Sequence, residues 1–378
     1  MTTRVLILGA GFGGLELAAG LSERFGAAVD ITLIDRRDHF VFGFSKLDVM
    51  FGKRTAAEVS HPYDRIDKPG VRFIRTTIRS IDPATKRVDT DAGTFDADFL
   101  VVALGADLDP AATPGLVEDG HEFYTNRGAF AVRDVIAGFS GGRVVVGVTS
   151  TPFKCPPAPS ETALLIHEYL TSRGLRADCE IAVVMPLPSP VPPVPAASEA
   201  LLTAFAERDI EWHPQRKITA LNPDAHEVVF ADGSTMPYDL FLGVPKHVVP
   251  AVVAESGLAV GGWVPVDALT LQTDYPDVFA IGDVTSVGTP KAGVFAEGQA
   301  AVVADAITAR ITSGETTRTY DGNGVCYVEF GHRRVARVDV TFAGGRPPYG
   351  HFDTATETIS SEKDGYGASR IRRWIGVS

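Results

Sequence analysis

Residues Arg4 to Gly14, RVLILGAGFGG, narrow the choice of fold more than any other stretch. A β-branched apolar run passes without a spacer into Gly9-x-Gly11-x-x-Gly14, and then into LELAAGLSERF, which reads as a helix. Such a strand-turn-helix opens a dinucleotide-binding unit. Gly9 permits the tight turn, Gly11 lets a pyrophosphate approach bare backbone, and Gly14 lets the helix pack on the strand. The glycine spacing by itself is weak, but the next strand, VDITLID, ends in Asp35, where a carboxylate accepts a ribose hydroxyl.

A second strand-turn-helix departs from this pattern. The run RVVVGV, Arg143 to Val148, leads through TPFKCPPAPSE into a helix expected from near Ser160 to Gly174. The turn holds Cys155, followed by three prolines, where bare backbone belongs. The following strand, EIAVVMP, ends in MPLPSPVPPVP, with no charged group to read a nicotinamide ribose. Six prolines from Pro186 to Pro195 predict a semi-rigid, polyproline-like wall. The second unit therefore reads as a nucleotide fold converted to cysteine redox chemistry.

The aromatic stretch Asp38 to Gly52 has neither a helical nor a strand period over its length. It suits ordinary core and a loop against a flat ring equally. Short alternating strands follow, the last being FLVVALG, which ends at Gly105 as a connection leaving the nucleotide. Strand DVFAIGD leads to Asp283, and the turn beyond carries Lys291 before a long alanine-rich helix. Then GVCYVEFGHRRVARVDVTFAGG alternates like an antiparallel sheet, with Cys326 on its first strand. The tail after Gly345 is polar and glycine-rich until SRIRRWIG.

At 378 residues the chain exceeds one ordinary core. The expected fold class is α/β: two Rossmann-like dinucleotide-binding domains, the second degenerate, plus a small C-terminal α+β domain. The expected bounds are 1–107 with 265–312, then 108–264 carrying Cys155, then 313–378 carrying Cys326. A net charge of -12 excludes nucleic acid as partner and any strong general attraction to anionic lipid, since both need a basic face. No apolar run approaches the ~18 residues of a membrane span, and no leader pattern opens the chain, so a cytoplasmic protein is expected. Three cysteines make no disulfide scaffold and no zinc-like pair, so no metal is expected, and Cys179 reads as a small buried hydrophobe.

Taken together, GAGFGGLELA with Asp35, VVALGA, FKCPPAPSE, DVFAIGD, PKAGVFAEGQA and VCYVEFG resemble the two-dinucleotide-fold disulfide reductase superfamily. Within it, the chain is similar to the branch of sulfide:quinone oxidoreductases and the flavin subunit of flavocytochrome c sulfide dehydrogenase, up to about residue 345. The resemblance implies FAD, with its adenosine half held by Gly9, Gly11, Gly14 and Asp35. Gly105 and Asp283 would line the rest of the cofactor. Lys291 would sit with a helix N-terminus at the flavin edge where negative charge gathers. It implies that Cys155 and Cys326, 171 positions apart, form a redox-active pair through which sulfide or a related small sulfur species reduces the flavin. Lys154 and the helix start would favour the Cys155 thiolate. Glu161 suits a proton shuttle and an early-helix acid equally.

A quinone is the implied acceptor. Unlike many relatives of that branch, the chain carries no third cysteine upstream of Lys154, and its tail is a poor amphipathic anchor. At most weak peripheral association at the inner face of the membrane follows, and a homodimer stays open. Two other readings remain: an NADH-dependent flavoprotein of the type II NADH dehydrogenase or ferredoxin reductase kind, and an FAD-binding interaction protein with little activity. His167 is expected to be structural, and His121, His213, His247 and His332 receive no role.

Overall fold

The computed structural model describes residues 2–342, 344 and 346–376, so the last two residues of the expected third domain lie outside it. Two parallel five-stranded sheets form its core, each with the same internal order. In the first, Thr3–Leu8 lies at the centre with Val29–Asp35 and Val71–Arg75 on one side and Phe99–Val102 and Val278–Ala280 on the other. In the second, Gly142–Val148 is central, flanked by Cys179–Met185 and Ile210–Pro214, and by Leu240–Val244 and His121–Glu122. The strands buried on both faces are near-continuous Val, Ile and Leu, as parallel sheets require. Each half also carries a three-stranded antiparallel meander, 78–96 in the first and 218–237 in the second.

The first sheet is completed by a strand that follows the whole second half, so the second half is an insertion within the first. After Val278–Ala280 the chain forms helix Gly293–Thr312, which lies along Phe12–Phe25. A Cβ on Gly13 would stand 3.0 Å from Ile281 Cδ1, so glycine keeps Phe12–Phe25 close to the segment that follows Val278–Ala280.

The helix expected near Ser160 starts earlier, at Ala158, with Pro159 in its first turn, where the missing N–H costs nothing. The proline run is a series of bends and turns and not an extended wall. Val191 and Val194 are buried there, Val191 N–H donates to Ser198 Oγ at 3.0 Å, and helix Pro195–Ala206 begins inside the run. The aromatic stretch divides: Phe40, Phe42, Val49, Met50 and Phe51 are core, while Phe44 reaches a cavity wall.

The tail departs most from expectation. Three antiparallel strands, Asn323–Glu329, Val335–Thr341 and Tyr349–Thr356, are followed by a 19-residue helix, Glu357–Ile375. Thr356 Oγ1 accepts from Ile359 N–H at 3.1 Å, Gly376 closes the helix in the left-handed region at φ 84, and Arg372 and Arg373 oppose the helix dipole in the last turn. The helix docks on the first half. Trp374 Nε1 donates to Glu16 Oε2 at 2.7 Å, Arg373 pairs with Glu16 and Glu23, and the Trp374 ring sits among Phe12, Phe40 and Phe42. Trp374 and Ile375, read from sequence as a weak membrane anchor, are 1% exposed and face the protein. Among the described residues no helix is long and apolar enough to cross a membrane.

Candidate active site

One cavity of about 700 Å³ opens where the strands of the first sheet end. Its walls include Gly9 and Gly11 beyond Thr3–Leu8, Asp35 at the end of Val29–Asp35, Gly105 beyond Phe99–Val102, and Asp283 beyond Val278–Ala280. The crevice outside the carboxyl ends of parallel strands is where open α/β sheets bind ligands. The inserted half adds Tyr124, Lys154, Cys155 and Glu161, and the C-terminal unit adds Cys326 and Tyr366.

At one end, the glycine turn is shaped for a phosphate-bearing ligand. A Cβ on Gly14 would lie 1.9 Å from Gly9 O, and one on Gly9, at φ +103, would lie 2.4 Å from Ala103 O. A Cβ on Gly11 would meet nothing within 4 Å, so its backbone faces open space. Side chains are excluded where strand, turn and helix touch, and bare backbone is left where a pyrophosphate would approach, which fits a dinucleotide such as FAD. Asp35 ties the turn to the second strand, Oδ2 accepting from Ala10 N–H and Oδ1 from Arg37 N–H, both at 2.9 Å. Gly105 adopts φ +69 beside it.

Further along, burial raises the Asp283 carboxyl, against the opposing pull of Lys154, Lys291 and Lys46. Lys291 is buried and held by carbonyls: Nζ donates to Asp283 O at 2.5 Å and Thr285 O at 3.1 Å, and stands 3.3 Å from the centre of the Trp263 ring. Burial lowers its pKa to about 8, with Asp283 acting the other way. An ammonium has three donors, and the two carbonyls take two of them.

At the other end stand the cysteines. Cys155 adopts φ +49, a left-handed conformation that costs a non-glycine residue about 1–3 kcal/mol. Backbone bonds hold it there: its N–H donates to Lys291 O at 2.8 Å, and its carbonyl accepts from Ala158 N–H at 2.9 Å. The loop around Cys155 thereby joins the loop around Lys291. The Cys155 side chain lies deep in the molecule but is exposed to the open cavity, and Cys326, on strand Asn323–Glu329, is half-buried against the same space. Cys179, by contrast, is buried in the core.

Burial pushes the Cys155 thiol well above its usual range, with Glu161 and Cys326 adding to the rise. Burial and Glu161 push Cys326 up to about 12. The expectation that Lys154 favours the Cys155 thiolate needs correction. Lys154 Nζ turns away to Ala106 O at 3.1 Å, and the cation that acts on Cys155 is Lys46. Glu161 is 3% exposed, and its Oε1 accepts from Glu329 N–H at 2.9 Å. Burial raises its pKa to about 7, in spite of that bond and of Lys363. The Lys363 ammonium is itself bonded to the Glu329 carboxylate, a buried pair behind the site.

Three groups here escaped the sequence reading. Lys46, within the aromatic stretch, donates from Nζ to the Tyr124 carbonyl, and burial lowers its pKa to about 8. Tyr124 precedes helix Asn126–Gly138. His247 is buried, its Nδ1 bonded to Pro245 O at 2.9 Å, so that Nε2 accepts from Lys154 N–H at 3.3 Å. A lysine inside an aromatic run with no acidic neighbour in helical register was the one available sign; Tyr124 and His247 carried none. His167 sits on helix Ala158–Ser172 outside the cavity wall.

Residues 3–304 match the family described as pyridine nucleotide-disulphide oxidoreductase. The mitochondrial sulfide:quinone oxidoreductase of Mus musculus is 27% identical over 372 residues, covering 94% of this chain and 82% of its own. The type II NADH:quinone oxidoreductase of Staphylococcus saprophyticus is 31% identical, but over 115 residues, 30% of this chain and 29% of its own. Among solved structures, the sulfide:quinone oxidoreductase of Aquifex aeolicus shares the fold at a TM-score of 0.89 and 24% identity, over 100% of this chain and 93% of that one.

Proposed function

Because this chain belongs to the pyridine nucleotide-disulphide oxidoreductase family, we propose that it is a flavoprotein that oxidises sulfide or a related small sulfur species. It does so through Cys155 and Cys326, and passes two electrons by way of FAD to a quinone. The observation that carries this reading is a cavity lined both by Gly9 and Gly11 of the glycine turn and by the two cysteines with Glu161.

FAD, when bound, supplies a two-electron acceptor that can hand those electrons on. Gly9, Gly11 and Asp35 would hold its adenosine half, with Gly14 packed behind them against Gly9, Gly105 and Asp283 would line its middle, and Lys291 with the start of helix Gly293–Thr312 would favour negative charge at the ring edge. Both thiols are free in this structure; in the oxidised state of the pair, hydrosulfide attacks a Cys155–Cys326 disulfide. One cysteine becomes a persulfide, and the electron pair of the broken bond goes to the other sulfur. Glu161, near neutrality and beside both thiols, takes up and returns the proton. The division at residues 107, 264 and 312 belongs to the same proposal, as does a cytoplasmic location with peripheral access to a membrane quinone.

Anaerobic addition of sulfide to the FAD-loaded protein tests it. Flavin absorbance is expected to bleach in wild type and to persist in Cys155→Ser and in Cys326→Ser. Equal bleaching in all three removes the cysteine pair, and faster bleaching by NADH than by sulfide assigns the chain to nicotinamide chemistry instead.

A further inference from the structure

The chain passes between its two halves twice, outward through Asp107–Asp109 and back through Lys246–Val248. These strands pair antiparallel as a neck, with Leu108 opposite His247. His247 is 4% exposed and has no part in the scheme above. Its Nδ1 faces an acceptor, Pro245 O at 2.9 Å, so Nδ1 carries the proton and Nε2 is bare. Nε2 accepts from Lys154 N–H at 3.3 Å. The ring stands edge-on to Tyr124, with centres 5.4 Å apart. Burial lowers the His247 pKa to about 3, with Lys154, Lys291 and Lys46 adding to the fall and Pro245 O opposing it, so the acceptor persists at any working pH.

The loop that receives this bond has little to hold itself with. Within residues 152–157 three are proline, so only Phe153, Lys154 and Cys155 offer an N–H. Cys155 N–H goes to Lys291 O, and Lys154 N–H goes to His247, 93 positions away. The Lys154 side chain repeats the connection, Nζ donating to Ala106 O, next to the other strand of the neck. Cys155 sits at φ +49, and a non-glycine residue stays in that region only where its surroundings over-determine it.

We propose that His247 is a positioning residue: from the neck it holds the Lys154 N–H, and thereby keeps Cys155 in its left-handed conformation on the cavity wall shared with Cys326. This role needs no substrate; its effect on turnover rests on the sulfide-oxidising reading given above. Loss of the acceptor leaves the Lys154 N–H buried without a partner, a cost the loop escapes by moving toward water. Cys155 then spends less time where it can meet Cys326.

The test uses the FAD-loaded full chain, with FAD content checked by absorbance, in wild type, His247→Phe and His247→Gln. In His247→Phe a flat ring stays against Tyr124 and the acceptor is lost; in His247→Gln the ring is lost and Oε1 restores an acceptor at about the reach of Nε2. Hydrogen–deuterium exchange read by mass spectrometry follows the peptide carrying Lys154 and Cys155, with strand Thr3–Leu8 as reference. Exchange in the loop is expected to be about tenfold faster in His247→Phe, the size of one buried donor left unpaired, and to return toward wild type in His247→Gln. Flavin bleaching by sulfide should slow about tenfold in the first variant and recover in the second. Unchanged exchange or bleaching in His247→Phe, a His247→Gln protein no better than His247→Phe, or equal acceleration of loop and reference strand overturns the assignment. A His247→Phe protein that fails to fold gives the histidine a general structural role and overturns it too. Wild type that sulfide fails to bleach removes the functional reading, while exchange still decides whether His247 holds the loop.

Discussion

Glu161 and Cys155 occupy neighbouring turns, and the physical arguments about them differ. For Glu161, burial outweighs the Glu329 N–H and Lys363, leaving a carboxyl with a pKa near 7 beside two thiols. Below that pH the group is protonated and has no capacity to accept; above it, the carboxylate can take a proton from the attacking sulfur. The ratio of wild-type to Glu161→Gln rates of flavin bleaching by sulfide should therefore rise with pH through about 7, reaching roughly 100-fold on the alkaline side. Using the ratio cancels the titration of sulfide itself, and a ratio flat from pH 5 to 9 leaves Glu161 as an early-helix acid. Cys155 is held in the left-handed region by the Lys291 carbonyl and the turn into Ala158–Ser172. Nothing in FKCPPAPSE indicates that conformation, because its partner lies 136 positions away.

Helix Glu357–Ile375 shows how an element escapes a pattern-based reading. Its inward positions are Ile359, Lys363, Gly367, Trp374 and Ile375, a helical face on which lysine and glycine stand where apolar residues are expected. Lys363 is tolerated because Glu329 pairs with it, and Gly367 because a Cβ there would approach Phe44 to 3.3 Å. The helix is anchored at its far end, where Trp374 fills the aromatic cluster and bonds to Glu16. Trp374→Ala is expected to destabilise the protein by about 3–5 kcal/mol, the cost of emptying a large buried aromatic site. The loss should be read in denaturant unfolding and in faster proteolytic cleavage after residue 345. Unchanged stability and unchanged cleavage would mean that the helix is held from its first turns. The strands and helices of the two sheets were more legible, since their β-branched runs and glycine turns report local sterics directly.

Across the whole molecule, both halves and the C-terminal unit meet at one cavity, so a ligand filling it links all three. FAD at 100-fold over its dissociation constant should stabilise the fold by about 2.7 kcal/mol, with the melting temperature climbing as FAD is added to apoprotein. Gly14→Ala, whose Cβ would meet Gly9 O at 1.9 Å, should lose both the yellow colour and that increment. A melting temperature indifferent to FAD would argue that the cavity is not its seat. Chain order alone was enough to specify two strand-turn-helix units and the replacement of glycine by Cys155 and prolines in the second, because those features follow from backbone sterics within a few residues. It also placed Cys326 on a strand. That Cys155 and Cys326 line the same cavity, and that Lys46 is the cation whose charge acts on Cys155, were decided by tertiary packing. The reason is that electrostatics and burial depend on distance in space, which the spacing of residues along a chain of 378 does not encode.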